Sequence, residues 1–462
     1  MSYIPNLIDT HAHLDSGQFA GDIEEVIARA LENGVSQIVT VGCDLESSRR
    51  SIEIARSHPE IYASVGIHPH DAGQATDEGI EILRRLIRDE GKIVAVGEIG
   101  LDFYRDRSPR DTQRLAFRRQ IRMAREVGLP VIVHDRDAHD EVLQILREEE
   151  ASAVGGVLHC FSGDTAMARS CIELGFHISF PGAITYPKNE AAREVVRNIP
   201  VEHMLVETDC PYLSPQSRRG KRNEPAFVRQ TAEMIAEVKG LTIEDVARIT
   251  TLNAYNLFGI GEADQTTKIA YRIRNSLYLN ITNRCTNACI FCAKFKDFTV
   301  KGHHLRLEHE PTIDEVKKAV GDPTRYEEVV FCGYGEPLIR LDLVREIAAW
   351  LKGKGIKVRI NTDGQANLVH GRNILPELEG LVDAVSVSLN AADAETYQSI
   401  CRSRFGDRGY EAVKDFLKEA KKVIPSVTAT AVTLPGIDVE ACRRIAEELG
   451  VEFRDREYNE VG

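Results

Sequence analysis

The sequence lacks the features of an exported, membrane-bound or disulfide-stabilised protein. No hydrophobic run approaches the ~18 residues that a membrane span needs, and the first residues show neither the basic nor the apolar region of an export signal. Ten cysteines in 462 residues are too few for a disulfide scaffold, and three of them crowd together, which favours metal binding in a reducing compartment. We therefore expect a cytoplasmic protein that does not associate with membranes.

An excess of positive charge is also missing. The chain has 58 lysines and arginines against 71 aspartates and glutamates, a formal net charge of −13. This balance excludes a generally basic nucleic-acid-binding protein, although it allows a local phosphate-binding patch. Hydrophobic residues make up 43% and charged residues 28% of the chain, which is typical of a folded globular protein rather than a disordered one.

Short β-branched runs alternate with longer amphipathic stretches along the whole chain. In the first half, helical patterns separate most strand candidates; over residues 111–127, for example, Leu115, Ile121 and Met123 have helical spacing. Eight strand–helix units within residues 1–260 predict a (β/α)8 TIM barrel, while a doubly wound open sheet, the alternative, typically has fewer strands. The strands are expected at Leu7–Asp9, Gln37–Val41, Tyr62–Ile67, Ile93–Glu98, Leu129–His134, Gly156–His159, His177–Phe180 and Met204–Asp209.

The same alternation restarts in the second half of the chain. A polar, glycine-containing stretch over residues 261–275 has no periodicity and is interpreted as a linker. Six strand–helix units follow within residues 276–462, too few to close a full barrel, so we expect a second α/β domain that is a partial (β/α)6 barrel. Its strands are expected at Ser276–Ile281, Glu328–Cys332, Lys357–Asn361, Ala384–Leu389, Val427–Val432 and Val451–Arg454.

Side chains that ligate metals recur at the ends of the predicted strands of the first half. Barrel active sites lie at the C-terminal ends of the strands, so these side chains would face one mouth. The first strand leads into His11 and His13, and their two-residue spacing on extended chain directs both imidazoles to the same face. The expected metal ligands are His11, His13, Glu98, His134, His159 and Asp209.

This set predicts a binuclear metal site. Glu98, on the fourth strand, can bridge two ions, and Asp209 is expected to act as a further ligand and as the general base. Two divalent ions, Mg²⁺, Mn²⁺ or Zn²⁺, would activate water and neutralise charge on a phosphoryl or acyl oxygen. His139, His177 and His203 lie away from the strand ends and are expected to have structural roles.

Four segments follow in order along this half, namely Asp9–Asp15, Gly66–His70, Gly97–Asp102 and Glu207–Tyr212, and they include His11, His13, Glu98 and Asp209. They resemble the motifs of the TatD-type metal-dependent deoxyribonucleases, which belong to the amidohydrolase-like superfamily. The resemblance implies hydrolysis of DNA or a nucleotide-like phosphodiester, with the same six metal ligands and with His68 facing the substrate phosphate. Glu98 and Asp209 would then be the catalytic carboxylates.

A basic segment follows the last predicted strand of the first half. Residues 219–225 resemble the basic segment that the same family has at this place, so Arg219, Lys221 and Arg222 are expected to contact the substrate phosphate. One cluster of this size suits a short or single-stranded phosphodiester better than a long duplex. Two alternatives stay open: the segment is a solvated loop, or the barrel cleaves an ester, lactone or amide by the same metal chemistry.

Three cysteines stand close together at the start of the second half. Cys285, Cys289 and Cys292 have the spacing C-x3-C-x2-C, which can bind three irons of a [4Fe-4S] cluster and leave the fourth iron open. A structural zinc site is the alternative, but it normally needs four protein ligands, and the candidates for the fourth are His303, His304 and His309. The isolated cysteines Cys332, Cys401 and Cys442 are expected to be small buried side chains.

The three-cysteine motif resembles that of the radical S-adenosylmethionine enzymes. The next strand leads into Gly333, Gly335 and Glu336, which resemble the family's glycine-rich segment for the methionyl amine of the cofactor. The resemblance further implies that Ser388 and Asn390 contact the cofactor, that S-adenosylmethionine binds the open iron, and that a flavodoxin- or ferredoxin-type protein supplies electrons. The chain would then be bifunctional, with an unidentified substrate for hydrogen abstraction; a non-catalytic iron–sulfur binding module is the alternative.

Overall fold

The computed structural model of the protein describes residues 6–262, 264, 266–295 and 298–458. The chain divides into two compact units, with the boundary between residues 263 and 264. We call them the N-terminal unit and the C-terminal unit. No helix in the described ranges is long and apolar enough to cross a membrane.

The N-terminal unit is built on eight parallel strands that pair in chain order. The predicted (β/α)8 barrel is therefore confirmed. Hydrophobic, largely β-branched residues dominate these strands and are buried in almost all of them, as expected for strands that are covered on both faces. The strands are β1 (Leu7–Ala12), β2 (Val35–Val41), β3 (Ile61–Val65), β4 (Ile93–Asp102), β5 (Val131–Arg136), β6 (Gly156–Leu158), β7 (Phe176–Phe180) and β8 (Met204–Val206).

The segment that follows β8 closes the barrel against β1. Ala12 and Cys210 form a parallel bridge, and the backbone N–H of Asp209 donates to the carbonyl oxygen of His11 at 2.9 Å. The side chain of Asp9 adds two hydrogen bonds across the same seam, from the backbone N–H of Thr208 at 2.9 Å and from its hydroxyl at 2.6 Å. Closure therefore brings the end of the first strand next to the end of the last.

Within residues 6–262, nine α-helices cover the outside of the barrel. Helix α4 buries Phe117, Ile121 and Met123 against the strands, whereas Leu115 is 49% exposed. Of the three residues whose spacing predicted this helix, Ile121 and Met123 therefore lie on its buried face and Leu115 does not. The helices are α1 (Ile23–Glu32), α2 (Leu45–Ser57), α3 (Asp77–Asp89), α4 (Arg110–Val127), α5 (His139–Glu148), α6 (Thr165–Glu173), α7 (Glu190–Asn198), α8 (Val228–Lys239) and α9 (Ile243–Phe258).

A second, smaller core is separate from the one that packs the helices on the strands. It joins strand residues such as Ile8, Val39 and Ile132 to Phe258 and Ile260, which end α9 and begin the segment after it. These side chains form an apolar core. The polar residues of the barrel lie at the C-terminal ends of the strands, among them those of β1, β4 and β5.

The C-terminal unit contains a seven-stranded sheet in the order β17-β16-β15-β14-β13-β10-β9 and a separate two-stranded hairpin. Six strands of the larger sheet, β10 and β13 to β17, run parallel, which confirms the partial (β/α)6 barrel. The strands are β9 (Ala270–Ile273), β10 (Ser276–Leu279), β11 (Thr299–Val300), β12 (His303–His304), β13 (Glu328–Phe331), β14 (Lys357–Thr362), β15 (Ala384–Ser388), β16 (Ser426–Thr433) and β17 (Glu452–Glu457). The helices are α10 (Ile313–Val320), α11 (Leu341–Lys352), α12 (Ala366–His370), α13 (Ala394–Cys401), α14 (Arg408–Val423) and α15 (Val439–Leu449).

The predicted linker over residues 261–275 is too long at its C-terminal end. Strand β9 lies within it and pairs antiparallel with β10, from Ala270 opposite Leu279 to Ile273 opposite Ser276. A four-residue strand carries too little periodicity to be seen in the sequence, and its stability comes from the neighbouring strand. The sheet is therefore mixed, with one antiparallel strand added to the parallel set.

The orientation of α4 gives a matched test of the fold. Phe117→Ala should cost about 3–5 kcal/mol of the free energy of unfolding, because it removes a fully buried ring and leaves a cavity. Leu115→Ala, two residues away and half exposed, should change it by no more than about 0.5 kcal/mol. Urea unfolding followed by circular dichroism measures both. Equal losses from the two variants would contradict the assigned face.

Candidate metal centre and cofactor site

Five imidazoles converge on one buried carboxylate at the C-terminal ends of the strands in the N-terminal unit. The carboxylate is Glu98, near the end of β4, and it is 3% exposed. Strand β1 and its first following residue supply two imidazoles, β5 supplies one, and the segments after β3 and β6 supply one each. These imidazoles belong to His11, His13, His68, His134 and His159.

One oxygen of Glu98 faces three of these imidazoles. Oε1 lies 2.8 Å from Nδ1 of His134, 2.8 Å from Nε2 of His159 and 3.5 Å from Nε2 of His68. His68 was expected to face a substrate phosphate, and the structure places its ring directly beside the carboxylate, with its centroid 4.5 Å from that of His134. This side of the carboxylate offers three nitrogen donors from three different strands.

The other oxygen of Glu98 faces the pair of imidazoles from β1. Oε2 lies 3.6 Å from Nε2 of His11 and 3.8 Å from Nε2 of His13. Asp209 completes this side, because its Oδ1 is 3.3 Å from Nε2 of His13 and 3.8 Å from Nε2 of His11. The thiol of Cys43, which the sequence analysis did not single out, lies 3.5 Å from the same Oε2.

The donor set suits two divalent ions, one on each side of Glu98. Four groups of three ligand atoms lie within 4.8 Å of one another, and Glu98 belongs to three of them. Imidazole and carboxylate donors with a shared carboxylate are typical of Zn²⁺, Mn²⁺ and similar ions in two-metal sites. The groups are His11 with Glu98 and His159, His11 with His13 and Asp209, His13 with Cys43 and Glu98, and His68 with Glu98 and His134.

The electrostatics of the cluster show that its carboxylates require nearby positive charge. Burial alone would raise the pKa of Glu98, but the charges of His159 and His68 and hydrogen bonds from His11 and His134 hold that pKa well below its usual range. Burial likewise opposes a charged His159, yet Glu98 and Glu207 raise the pKa of His159 well above its ordinary value. A proton on an imidazole such as that of His159 thus supplies charge that bound cations would otherwise provide, although burial lowers the pKa of His11 and His68.

Buried acids stand behind the imidazoles and orient them. Oδ2 of Asp102 lies 3.4 Å from Nε2 of His134 and 2.8 Å from Nε2 of His70. Glu207, which is fully buried, accepts a hydrogen bond from the backbone N–H of Cys160 at 2.5 Å and lies 3.7 Å from Nδ1 of His159. Such carboxylates fix the ring orientation and raise the basicity of histidines that bind metals.

A cavity of about 840 Å³ opens over the cluster. Beside the ligands it is lined by Tyr212, Cys160 and four arginines. Arg50 pairs with Asp15 at 3.2 Å, whereas the other three arginines form no ion pair with any described residue. These three arginines are Arg105, Arg107 and Arg136.

The three clustered cysteines lie on the segment between β10 and the 3₁₀ turn at Ala293–Phe295 in the C-terminal unit. All three are free thiols and only partly exposed; burial raises the pKa of Cys285 and Cys292, and a hydrogen bond with Cys401, together with burial, raises that of Cys289. Backbone hydrogen bonds tie the segment to the C-terminal end of α13, from Ala288 to Cys401 at 3.0 Å and from Ile290 to Ile400 at 2.9 Å. The cysteines are Cys285, Cys289 and Cys292.

The three sulfur atoms do not fit a single metal ion. Among the described residues, the groups whose ligand atoms could share one ion all lie in the N-terminal unit. Two of the three histidines considered as a fourth zinc ligand have other partners. His303 contacts the carbonyl oxygen of Arg272 at 2.9 Å, and His309 contacts Glu315 at 3.0 Å. A cubane presents a separate iron to each thiolate, so the thiol arrangement suits a cluster better than zinc.

A buried network of neutral side chains holds the cysteine segment in place. Nε2 of Gln365 donates to Oδ1 of Asn287 at 2.7 Å and to the hydroxyl of Tyr397 at 2.9 Å, and that hydroxyl also accepts from Nδ2 of Asn287 at 3.1 Å. Ser403 donates to Oε1 of Gln365 at 2.5 Å. All four side chains are buried. Asn287 stands between two of the cysteines, so the network fixes the path of the ligand segment.

Two buried carboxyl groups lie next to the cysteine segment. Glu336 accepts hydrogen bonds from the backbone N–H of Asp363 at 2.6 Å and from the hydroxyl of Thr362 at 2.9 Å. Asp363 accepts a hydrogen bond from the hydroxyl of Thr286 and lies 3.8 Å from the sulfur of Cys285. Burial raises the pKa of both carboxyls, and no described lysine or arginine pairs with either one. The site can therefore accept a cationic group.

The structure gives a different observation for each of the remaining residues that were predicted to bind the cofactor. A Cβ on Gly335 would lie 2.2 Å from the carbonyl oxygen of Thr282, so this glycine is needed for close packing against the chain after β10. Gly333 is similarly tight against Asn280. Asn390 has φ 58°, is buried, and its Oδ1 has no hydrogen-bond partner among the described residues. Ser388 ends β15, opposite Thr430 of β16.

Family models match both units of the chain. Residues 8–259 match the TatD related DNase family, and residues 279–449 match the Radical SAM superfamily. The chain belongs to the TatD-related DNase family. Its C-terminal unit is a radical SAM domain, so two enzyme families are joined in one chain.

The TatD relatives correspond to a little over half of the chain. The uncharacterized metal-dependent hydrolase YabD of Bacillus subtilis is 48% identical over 254 residues, which are 55% of this chain and 99% of that protein. The 3'-5' ssDNA/RNA exonuclease TatD of Erwinia amylovora is 36% identical over 260 residues, 55% of this chain and 100% of that protein. The crystal structure of YJJV, a TatD homologue from Escherichia coli, matches with TM-score 0.54 and 32% identity, covering 56% of this chain and 100% of that one.

The basic segment of the TatD unit does not reach the cavity as expected. The guanidinium of Arg222 is held by Asp22, with hydrogen bonds of 2.8 and 2.5 Å, and it covers the ring of Phe19 at 4.7 Å. Arg219 lies over the ring of Tyr186 at 4.8 Å, and Lys221 is exposed. None of the three basic residues lines the cavity, because nearby acidic and aromatic side chains direct the arginines elsewhere.

The three arginines without ion pairs that line the TatD cavity follow strands whose ligands were predicted. Arg105 and Arg107 come after Asp102, the last residue of β4, and Arg136 is the last residue of β5. Applying the strand-end rule to basic residues as well as to metal ligands would have found them. Cys43 and Asp363 also lie just after strands, but a lone cysteine or aspartate carries no such signal in the sequence.

The radical SAM domain offers a matched test of its cysteine segment. Tyr397→Phe removes the hydroxyl that accepts hydrogen bonds from Asn287 and Gln365, which leaves buried donors unpaired at a cost of about 1–3 kcal/mol. We expect faster loss of iron to a chelator and a lower unfolding temperature. Tyr410→Phe is the control, because the Tyr410 ring is 5.6 Å from that of Tyr397 and its hydroxyl has no described partner. Equal iron loss from both variants would contradict the role of the network.

Proposed function

We propose that the TatD unit hydrolyses phosphodiester bonds of DNA or a nucleotide-like substrate at a pair of divalent ions, and that the radical SAM unit cleaves S-adenosylmethionine reductively at a [4Fe-4S] cluster. The observation that carries the first half is the division of imidazoles between the two oxygens of Glu98. A carboxylate with ligands on both sides is what a bridged metal pair needs. The proposed metal ligands are His11, His13, Glu98, His134, His159 and Asp209, with His68 beside them.

Bound ions at this place would stabilise charge on the phosphoryl oxygens and lower the pKa of water. Asp209 is suited to accept the proton. Burial would raise its pKa, but a hydrogen bond and the charge of His13 keep that pKa below the ordinary value, so the carboxylate is ionised at neutral pH. Its backbone has φ 55° and is fixed by the hydrogen bond to His11, which keeps the side chain aimed at the cluster. Such a constrained residue is typical of an active site.

The three arginines without ion pairs, Arg105, Arg107 and Arg136, supply the phosphate recognition that had been expected of the basic segment. They line the same cavity as the ligands, so a phosphate above the cluster would meet positive charge from β4 and β5. The Erwinia relative is named a 3'-5' ssDNA/RNA exonuclease, which supports a single-stranded polynucleotide as the substrate.

In the radical SAM unit, Cys285, Cys289 and Cys292 would hold the cluster, which supplies one electron to the sulfonium of S-adenosylmethionine. Glu336 would bind the methionyl ammonium, since it and Asp363 are buried acids that lack a described basic partner. Gly333, Gly335, Ser388 and Asn390 would form the rest of the cofactor site. An external flavodoxin- or ferredoxin-type protein would deliver the electron, and free thiols throughout the chain suit the cytoplasm.

Glu98→Gln tests the metal pair. The amide cannot bridge two ions, so bound divalent metal should fall from two ions per chain to one or none. Hydrolysis of a single-stranded oligonucleotide should fall by about 100-fold or more, since even groups behind the ligands cost about 10–100-fold. Metal analysis and kcat measure the two effects. His139→Ala is the control, because His139 pairs with Asp135 and lies outside the ligand groups. Full metal content and activity in Glu98→Gln would refute the proposal.

Cys289→Ala tests the cluster. Anaerobically prepared wild-type protein should carry about four irons per chain in the radical SAM unit, and the variant should lose them. With dithionite and S-adenosylmethionine, only the wild type should release 5′-deoxyadenosine. Cys442→Ala, which removes a buried thiol of α15, should keep the cluster. Wild-type protein that holds the cluster but releases no 5′-deoxyadenosine would favour a non-catalytic binding module.

A further inference from the structure

Two large aromatic side chains are exposed beside the metal cavity. Tyr104 is 60% exposed and Tyr212 is 56% exposed, and they are two of the seven large hydrophobic side chains that the described residues expose. Tyr104 lies two residues after β4, next to Arg105, and Tyr212 lies three residues after Asp209 and lines the cavity itself. Tyr104 does not line the cavity itself, but its ring lies against Arg136, which does, so both rings are exposed next to the place where a substrate would bind.

The backbone at both rings is fixed to the metal cluster. The N–H of Tyr104 donates to Oδ1 of Asp102 at 3.1 Å, and Asp102 also contacts His134. The N–H of Tyr212 donates to the carbonyl oxygen of Asp209 at 2.9 Å, and the Tyr212 ring stands edge-on to His13 with centroids 6.1 Å apart. The rings therefore project from positions that the ligand residues determine, and little conformational entropy is lost when they bind a substrate.

The Tyr104 ring already carries a planar cation. Cζ of Arg136 lies 4.1 Å from its centroid, and Cζ of Arg105 lies 5.8 Å away. Neither arginine has an acidic partner in the described parts of the chain, and both line the cavity with Arg107. A guanidinium stacked on a tyrosine offers a second flat surface, and its charge stays free for a phosphate.

We propose that Tyr104 with Arg136, and Tyr212 by itself, are stacking subsites for unpaired nucleobases next to the phosphate that the metal ions hold. This inference depends on the proposed phosphodiesterase function and adds the recognition of the base. Every nucleobase has a stacking face, so the subsites tolerate any sequence. In a duplex those faces are covered by neighbouring base pairs, so the subsites select single strands or frayed ends. The ligand class is therefore an unpaired nucleoside within a polynucleotide, DNA or RNA.

A substrate without bases provides the sharpest test. Full-length protein loaded with Mn²⁺ is given two oligodeoxynucleotides of equal length, one of thymidines and one in which abasic residues replace the terminal thymidines. The phosphates and sugars are nearly the same, so only base stacking differs. The variants are Tyr104→Ala, Tyr212→Ala, Tyr104→Phe and Arg136→Lys. Tyr255→Ala is the matched control, since Tyr255 is an exposed tyrosine on α9 that does not line the cavity.

Tyr104→Ala and Tyr212→Ala should each raise KM for the thymidine strand by about tenfold, because one stacked base contributes about 1–3 kcal/mol by alanine substitution and 1.4 kcal/mol is tenfold. The loss should disappear on the abasic strand, which wild-type protein should itself bind more weakly. Tyr104→Phe should restore most of the affinity that Tyr104→Ala loses, since stacking needs no hydroxyl. Arg136→Lys should lose affinity for the thymidine strand although its charge is kept, because the planar surface is gone.

Equal losses on both strands, or no loss on either, would overturn the stacking subsites while leaving the phosphodiesterase in place. Absence of hydrolysis in wild-type protein would overturn the proposed function instead. In that case fluorescence anisotropy of the same two strands, measured with Ca²⁺, decides the subsites. A preference for the thymidine strand that Tyr104→Ala and Tyr212→Ala remove supports them, and equal binding of the two strands refutes them.

Discussion

The buried carboxylate of Glu98, enclosed by imidazoles, is the interaction on which the N-terminal unit depends. A carboxylate with so little access to water is stable only when positive charge stands against it, and each of its oxygens faces imidazoles of its own. Those imidazoles come from four different strands, so they meet only if the barrel closes. The hydrogen bonds of Asp9 to Thr208 at the seam between the first and last strands are therefore part of the metal centre, although they touch no ligand atom.

The C-terminal unit also buries carboxyl groups, but the groups around them are different. Its buried acids, Glu336 and Asp363, have no described cation beside them, and burial raises the pKa of both. The segment that carries the cysteines is positioned by neutral groups, Asn287, Gln365 and Tyr397, instead of by ion pairs. A neutral network fixes geometry without adding charge, so the charge of the site is left to what binds there. The N-terminal unit thus sets imidazoles against its buried carboxylate, whereas the C-terminal unit leaves its two buried acids without a described cation.

The convergence of the side chains proposed as metal ligands could be predicted from the sequence because parallel barrel strands carry their last residues to one rim, whatever the loops do. No comparable rule predicts where a side chain in a loop points. Arg222 meets Asp22 and turns away from the cavity, whereas Arg136, at the end of a strand, reaches it. Leu115 fits a helical spacing as well as Phe117 does, and only the packing of α4 against the barrel distinguishes them.

The radical SAM unit was predictable for a different reason. The cysteine spacing is local, so the motif is visible without the fold, and the six parallel strands follow from their regular alternation with helices. Strand β9 escaped prediction because four residues that pair with a neighbour carry no periodicity of their own. The place of Asp363 in the site could not be predicted, because it depends on contacts with Glu336 and Cys285. Both residues are distant in the chain and meet Asp363 only in the folded unit.

The sulfur of Cys43 makes the two sides of the Glu98 centre chemically unlike. Burial raises the pKa of this thiol to about 12, so it stays protonated and offers nothing to a hard ion such as Mg²⁺. A softer ion such as Zn²⁺, bound on the side of Oε2, would displace the proton and gain a thiolate donor. The donor set is thus softer on that side of Glu98, and exchanging one bound metal for another would affect that side more than the other.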